Sequence, residues 1–327
     1  MKVAVFVPSR PHFGNILTQL PFLCALQKEY PNADIEIWSK FEQSKVLLSV
    51  NISKTVINYK KFSLFRLVNA LNAKKYDAIY NLYSGSDKVH AAIGLSNVKV
   101  TYGHSNKKIH KQCYKKHVRI SKGFQYIANS HLALLNIIKN TNYTPDIIRS
   151  LATKPSVKNK TELTLLPGGG AGEYKRWHLN HYLATADSVA QKNTDLTCIN
   201  WILGPDEAHY KESIPSHIAN IPVRLHQNLN IYQLIDVAES SVLSIGNDCG
   251  PTHIFQMLMV PLITLWGWKD EKTSPYNTMT EWFYSHEHSW AVVPNEKEKC
   301  INTITVDKVS TLALAQIKRD LAIKPNY

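Results

Sequence analysis

Residues 241–267 constrain the fold more than any other part of the chain. Ser241-Val242-Leu243-Ser244-Ile245 is a compact apolar run that reads as a buried strand. Gly246-Asn247-Asp248-Cys249-Gly250-Pro251-Thr252-His253 turns it into Ile254-Phe255-Gln256-Met257-Leu258-Met259, a helix packed on that strand. Pro261-Leu262-Ile263-Thr264-Leu265-Trp266-Gly267 then supplies a second strand closed by glycine. Strand, glycine-bearing turn and helix start form the corner where open α/β sheets bind ligands, because free N–H groups and the helix dipole face the strand ends. Gly246 and Gly250 let the backbone approach a ligand with no Cβ in the way. Asp248 can accept from a sugar hydroxyl or cap the helix, and His253 falls one turn further on. An ordinary capped turn fits the same residues.

The first half alternates short strands with helices. Val3-Ala4-Val5-Phe6-Val7 is continuous and apolar, as expected of a strand buried on both faces of a parallel sheet. A turn through His12, Gly14 and Asn15 leads into a helical pattern over 16–30, then Asp34-Ile35-Glu36-Ile37-Trp38 and Thr55-Val56-Ile57-Asn58-Tyr59 read as strands. Helices are expected near 42–50 and 62–75, and further strands at 76–80 and 98–101. This alternation predicts a doubly wound parallel sheet. Between 104 and 122 it fails: Lys107, Lys108, Lys111, Lys115, Lys116, Arg119 and Lys122 occur with no acidic residue. Such a stretch is either a solvated loop or a surface that meets an anion. A helix over 124–139 follows. The polar, proline-bearing segment 154–160 is the expected linker between a first domain, 1–153, and a second, 161–327.

The second half restarts the pattern. Glu162-Leu163-Thr164-Leu165-Leu166-Pro167 is a strand, followed by Gly168-Gly169-Gly170-Ala171-Gly172-Glu173-Tyr174-Lys175-Arg176-Trp177. A Walker A loop requires G-K-[ST], and Tyr174-Lys175-Arg176 breaks that pattern. Glycines that expose backbone N–H groups at a helix start, with Lys175 or Arg176 beside them, suit a pyrophosphate; a purely structural glycine turn is the alternative. A helix over 178–192 leads to the strand 197–203 and then Gly204-Pro205-Asp206-Glu207. Beyond Gly267 the pattern is aromatic-rich and irregular until an amphipathic helix over 308–321, which can fold back onto the first domain.

Charge and cysteine usage narrow the function. Lys and Arg number 38 against 25 Asp and Glu, a formal charge of +13, which calls for an anionic partner: nucleic acid, an anionic membrane surface or an anionic substrate. No nucleic-acid-binding motif appears. The five cysteines are scattered and never spaced C-x-x-C, which argues for reduced thiols in a cytoplasmic protein and against a zinc site. No 18-residue apolar run predicts a membrane-spanning helix, and residues 1–8 read as a strand start and not as a signal peptide.

The combined spacing of Asp248-Cys249-Gly250-Pro251-Thr252-His253, the helix and Pro261-Leu262-Ile263-Thr264-Leu265-Trp266-Gly267 resembles the C-terminal signature of the heptosyltransferase-like glycosyltransferases, family 9. That signature is D-[ST]-G-x-x-H, with Cys249 here at the Ser/Thr position. The loop 167–177 resembles the same family's P-G, small residues, K-x-W motif. The resemblance implies a GT-B fold: α/β, two Rossmann-like doubly wound parallel-sheet domains with a cleft between them. It implies an inverting, metal-independent transfer of heptose or a related sugar from a nucleotide-diphosphate donor to a lipopolysaccharide-type acceptor, with no cofactor. The protein would then sit in the cytoplasm, peripheral at the inner membrane. The donor residues it implies are Gly169, Gly170, Lys175, Arg176, Glu207, Asp248, Cys249, Gly250 and His253, with Glu207 on the ribose; a helix N-terminal charge explains Glu207 equally well.

One position departs from the family. Its first-domain motif is G-D after the first strand, the Asp serving as base, and this chain has Gly14-Asn15. An Asn side chain cannot act as a base. Either His12 or Asp34, the nearest candidates in sequence, takes the proton, with Asn15 and Lys175 completing the catalytic set, or the chain binds nucleotide sugar without turnover. A basic nucleic-acid-binding protein is the remaining alternative; it accounts for the charge but not for the ligand turns.

Overall fold

A computed structural model describes residues 1–8, 10–82, 86–104, 107–118, 125–154, 160–170, 172–270 and 273–322, with side chains to 318. The chain divides into two compact units, Met1–Ser150 and Leu151–Tyr327. Most of the expected linker, residues 155–159, lies outside the described residues.

The first unit holds β1 (Lys2–Phe6), β2 (Asp34–Ser39), β3 (Thr55–Asn58), β4 (Ala78–Asn81), β5 (Thr101–His104) and β6 (Lys116–Val118). They form one parallel sheet in the order β3-β2-β1-β4-β5-β6. Its helices are α1 (Phe13–Leu17), α2 (Leu20–Glu29), α3 (Leu64–Lys74), α4 (Asp87–Leu95) and α5 (Ile127–Lys139). Residues 3–6 of β1 are wholly buried, with Ala4 and Phe6 in a cluster that includes Leu67 and Leu71 of α3 and Val89 of α4. The single helix expected over 16–30 is two, because Pro21 has no N–H for the preceding turn and instead sits in the first turn of α2. The basic stretch is less irregular than its charge suggests. Lys108–Cys113 is a 3-10 turn and β6 is an edge strand on β5, while residues 105–106 and 119–122 lie outside the described set.

The second unit holds β7 (Glu162–Leu166), β8 (Cys198–Leu203), β9 (His217–Ile218), β10 (Ile221–Gln227), β11 (Ser241–Asn247), β12 (Leu262–Leu265) and β13 (Ser289–Val292). The sheet order is β13-β12-β11-β7-β8-β10-β9, parallel except for β9 against β10. Its helices are α6 (Leu179–Lys192), α7 (Ile231–Ser240), α8 (Gly250–Met257), α9 (Pro275–Trp282) and α10 (Val306–Ala322). The stretch after Gly267, irregular by sequence, contains α9 and the edge strand β13; half-exposed Ser289, Trp290 and Ala291 leave β13 without the continuous apolar run of a central strand. Val309, Ala313 and Ile317 of α10 belong to this unit's own core. Among the described residues no helix is long and apolar enough to cross a membrane.

Two imidazoles are enclosed in the first unit, His104 at the end of β5 and His131 on α5. Burial lowers His104 to about 4, partly offset by the backbone of Val118 and His131, and lowers His131 to about 3. Each stays neutral when folded, so its contribution is full above the unfolded value near 6.5 and is lost as pH falls toward the folded value. By pH 5 each is expected to cost up to about 2 kcal/mol. His131→Leu should flatten the pH dependence of denaturant midpoints between pH 7 and 5 relative to the native chain.

Candidate functional site

The order of the second sheet reverses between β7 and β11, and loops leaving neighbouring strands at such a reversal part to leave a crevice beyond the strand ends. Both glycine-bearing motifs leave the sheet at that place. Asn247, last residue of β11 and fully buried, ties them together. Its Nδ2 donates to Pro167 O at 2.8 Å, while its Oδ1 accepts from Tyr182 Oη at 2.9 Å and Trp177 N at 3.4 Å. A glycine is required across the site, because a Cβ at Gly267 would lie 1.7 Å from the carbonyl oxygen of Tyr174. Lys175 itself ends a 3-10 turn, Glu173–Lys175, and α6 begins only at Leu179. The glycine loop therefore does not open directly onto a helix N-terminus, as its sequence suggests.

Lys175 meets Asp248 in a direct Nζ–Oδ2 ion pair, with side chains 18% and 7% exposed. Burial by itself would lower the lysine, but the Asp248 carboxylate outweighs it and raises the ammonium above its ordinary value. Lys175 is thus a fixed cation. The pair borders a pocket of ≈ 40 Å³ lined also by Trp266, Lys269, Thr273 and Thr278. Asp248 does not cap α8; Cys249 occupies that position without a side-chain cap.

A second pair stands on the β8 side. Glu207 is 3% exposed and accepts from Arg176 Nε and Gly169 N, each at 3.3 Å. Its carboxylate is turned into the glycine loop, which the helix-charge reading does not require. Arg176 also pairs with exposed Glu173 and approaches Asp206 at 3.6 Å. A Cβ on Gly169 would come within 2.2 Å of Arg176 Cγ, so the loop and the guanidinium share one space. Gly170 is exposed at φ +38°, and Gly250 is the first residue of α8.

Cys249 and His253 are both interior. Burial pushes the Cys249 thiol up to about 11, and its Sγ lies 3.0 Å from Thr252 Oγ1. Burial pulls His253 down to about 4, and its Nδ1 is 3.3 Å from Gln256 Nε2. A neutral thiol and a neutral imidazole, each with other partners, do not make a thiolate nucleophile. Among the described residues no three His, Cys, Asp or Glu converge to hold a metal ion.

In the first unit, His12 and Asn15 stand together at the start of α1, beyond the C-terminal end of β1. His12 is exposed and makes no side-chain cap; Asn15 is half-buried, and its carbonyl accepts from Thr18 Oγ1 and Gln19 Nε2. Asp34 is a correction. It opens β2 opposite Lys2, whereas Trp38 is the residue opposite Phe6 at the β1 exit. Four strand residues, about 13 Å, separate it from the end of the sheet where His12 and Asn15 lie. Sequence proximity misled because parallel strands start at the edge opposite their exits.

Asn247 and Tyr182 escaped the sequence motifs. The available signal was a polar residue ending a strand whose other positions are buried. Asn247→Ala removes three hydrogen bonds to buried groups and is expected to destabilise by about 2–4 kcal/mol. Denaturant titration measures the loss, and a change under about 0.5 kcal/mol would deny the hub its role.

Residues 64–302 match the profile of glycosyltransferase family 9 (heptosyltransferase). Lipopolysaccharide heptosyltransferase 3 of Escherichia coli is 23% identical over 285 residues, covering 79% of this chain and 81% of that protein. The solved structure of E. coli heptosyltransferase WaaC with ADP-2-deoxy-2-fluoro heptose is similar at TM-score 0.66 and 17% identity, over 96% of this chain and 99% of that one. E. coli ADP-heptose lps heptosyltransferase II is similar at TM-score 0.64 and 16% identity, over 98% and 100%. The chain belongs to glycosyltransferase family 9, the heptosyltransferase family, and is a glycosyltransferase with the two parallel-sheet α/β domains of the GT-B fold.

Proposed function

We propose that this glycosyltransferase moves a heptose or a related sugar from a nucleotide-diphosphate donor to a hydroxyl of a lipopolysaccharide- or lipooligosaccharide-type acceptor, with inversion. The carrying observation is the pair of buried cation–carboxylate contacts, Lys175–Asp248 and Arg176–Glu207, at the β7/β11 crevice. A nucleotide sugar offers phosphate oxygens that accept and hydroxyls that donate, and each pair presents one group of each kind. The names of the relatives support the donor and acceptor classes: one structure holds an ADP-heptose analogue and one relative is a lipopolysaccharide heptosyltransferase.

In this reading the acceptor oxygen bonds to the anomeric carbon as the bond to the diphosphate breaks, and Lys175 and Arg176 stabilise the charge that develops on the leaving group. These cations take the part a divalent metal plays elsewhere. The acceptor belongs to the first unit, and the exposed Lys108, Lys111, Lys115 and Lys116 suit an anionic glycolipid or the anionic surface of a membrane. On this reading the protein works at the cytoplasmic face of the inner membrane, as a peripheral enzyme.

Titration calorimetry with ADP tests the donor site. Lys175→Ala should weaken binding about ten- to a hundredfold. It should also lower stability, since Asp248 is left buried and unpaired, so Lys175→Ala/Asp248→Asn is the partner variant that restores the melt but not the affinity. Unchanged affinity in both would place the diphosphate elsewhere.

Replacing Lys108, Lys111, Lys115 and Lys116 together with Gln should spare ADP binding. It should weaken sedimentation with vesicles rich in phosphatidylglycerol, most at low salt. An equal loss of ADP affinity would contradict the assignment of this surface to the acceptor side.

A further inference from the structure

The first sheet reverses its order between β1 and β4, as the second does between β7 and β11. The same rule therefore places a crevice beyond the ends of β1 and β4, with His12 and Asn15 on one side. On the other side stands Asp87, first residue of α4, with a side chain 68% exposed. Asp87 differs from an ordinary surface carboxylate in what supports it. His110 Nε2 lies 3.0 Å from its Oδ1, and Lys107 Nζ contacts both oxygens at 2.8 and 2.9 Å. His110 is buried and stacks face to face on wholly buried His90, ring centres 3.8 Å apart and planes 15° apart. His90 Nδ1 bonds Tyr114 Oη, which also accepts from Asn81 at the end of β4. Gly103 on β5 makes room for the Tyr114 ring, where a Cβ would come within 2.4 Å.

We infer that Asp87 is the base that takes the proton of the acceptor hydroxyl, and that His110, anchored through His90 and Tyr114, is the positioning residue that aims it. This rests on the transfer reading given above. The acceptor O–H bond breaks and its proton passes to Asp87 as the acceptor oxygen bonds to the anomeric carbon. The bond from that carbon to the diphosphate breaks, and the nucleoside diphosphate leaves with the electron pair. Asp87 then releases the proton to water, to which it is open. The hydrogen bond from Lys107 holds the carboxyl below its ordinary range. A carboxylate remains adequate there, because a hydroxyl oxygen becomes acidic as it bonds to carbon.

His12 borders the opening and can accept a proton, but its exposed side chain makes no cap hydrogen bond on α1, whereas Asp87 is held by His110 and Lys107; the remaining groups fail on chemistry or position. Asn15 cannot accept a proton, and Asp34 lies at the far edge. Glu42 follows β2, away from the reversal, and is engaged by Lys45 and Asn58. The stacked rings of His90 and His110 do not point their nitrogens at a common centre, so the cluster is an anchored hydrogen-bond chain and not a metal site.

The test uses the full chain with ADP-heptose and a de-O-acylated lipopolysaccharide core oligosaccharide lacking its outer heptose, reading ADP release and product. Asp87→Asn keeps the shape and should lower kcat at least about a hundredfold with ADP affinity unchanged. His110→Phe keeps the stack on His90 but loses the N–H; kcat should fall about ten- to a hundredfold with the same KM for donor. Sodium formate should restore turnover to Asp87→Ala, and Asn15→Asp should restore it to Asp87→Asn, which a structural role for Asp87 would not allow. A native chain that transfers while Asp87→Asn keeps more than half its rate overturns the base assignment and leaves the transfer reading standing. A native chain that binds ADP but makes no product overturns the transfer reading and this assignment with it.

Discussion

Strands that run one way, as all but β9 do, must end on one edge, and this constraint shapes both units. In each sheet the first strand lies in the interior, with later strands laid down first on one side and then on the other. The two connections that leave from either side of the reversal run apart, which exposes strand ends and backbone N–H groups without any hairpin to cover them. In the second unit the opening is spanned by side chains and not by backbone. Lys175 comes from the β7 side and Asp248 from the β11 side, with Asn247 fixing the two loops to each other beneath them. The loops keep their spacing because Asn247, buried and satisfied on both its amide atoms, has no alternative arrangement of equal energy.

The charges of that opening bear on how a donor would bind there. The two buried carboxylates, Asp248 and Glu207, pair with two cations, Lys175 and Arg176, and the exposed Lys269 adds a third cation to the pocket lining. Glu173 and Asp206 add negative charge, but at 84% and 62% exposure they are largely screened. A diphosphate that took Lys175 from Asp248 would leave a buried carboxylate uncompensated, a cost of several kcal/mol. A nucleotide sugar avoids this penalty, since its hydroxyls can donate to the carboxylate while its phosphates engage the cation. On the proposed donor reading, this arrangement would favour the whole donor over bare phosphate.

Much of this was legible in the sequence, for physical reasons that also explain the gaps. Central strands such as β1, β8 and β11 are buried on both faces and read as continuous apolar runs, so their positions were plain. Edge strands β6 and β13 carry exposed or half-exposed residues, and nothing in their composition separated them from loop. The glycine loop, Lys175 and Asp248 were visible because glycine and charge at strand exits are unusual. That Lys175 and Asp248 bond to each other was not visible, since residues so far apart in sequence meet only through the order of strands. Asp34 shows the converse error: closeness in sequence to a turn says nothing about which edge of a parallel sheet a residue occupies. The His90–His110 stack joins α4 to the turn after β5, and no local periodicity encodes it.

On the inference that Asp87 is the base, the reversal also explains how a proton acceptor could move along the chain while staying at the same opening. Neighbouring strands lie about 4.8 Å apart, so loops leaving β1 and β4 border the same opening. A carboxylate supplied from α1 and one supplied from the start of α4 both follow strands that border that opening. They differ in support. A residue at position 15 would hang on a five-residue helix, whereas Asp87 is braced by a buried imidazole stack that reaches β4 through Tyr114 and Asn81. Asn15 keeps a hydrogen-bonding group beside the opening and removes a second negative charge from it. Two carboxylates bordering one opening would repel and raise each other's pKa, so on this inference a neutral amide at 15 would be the electrostatic complement of an ionised Asp87.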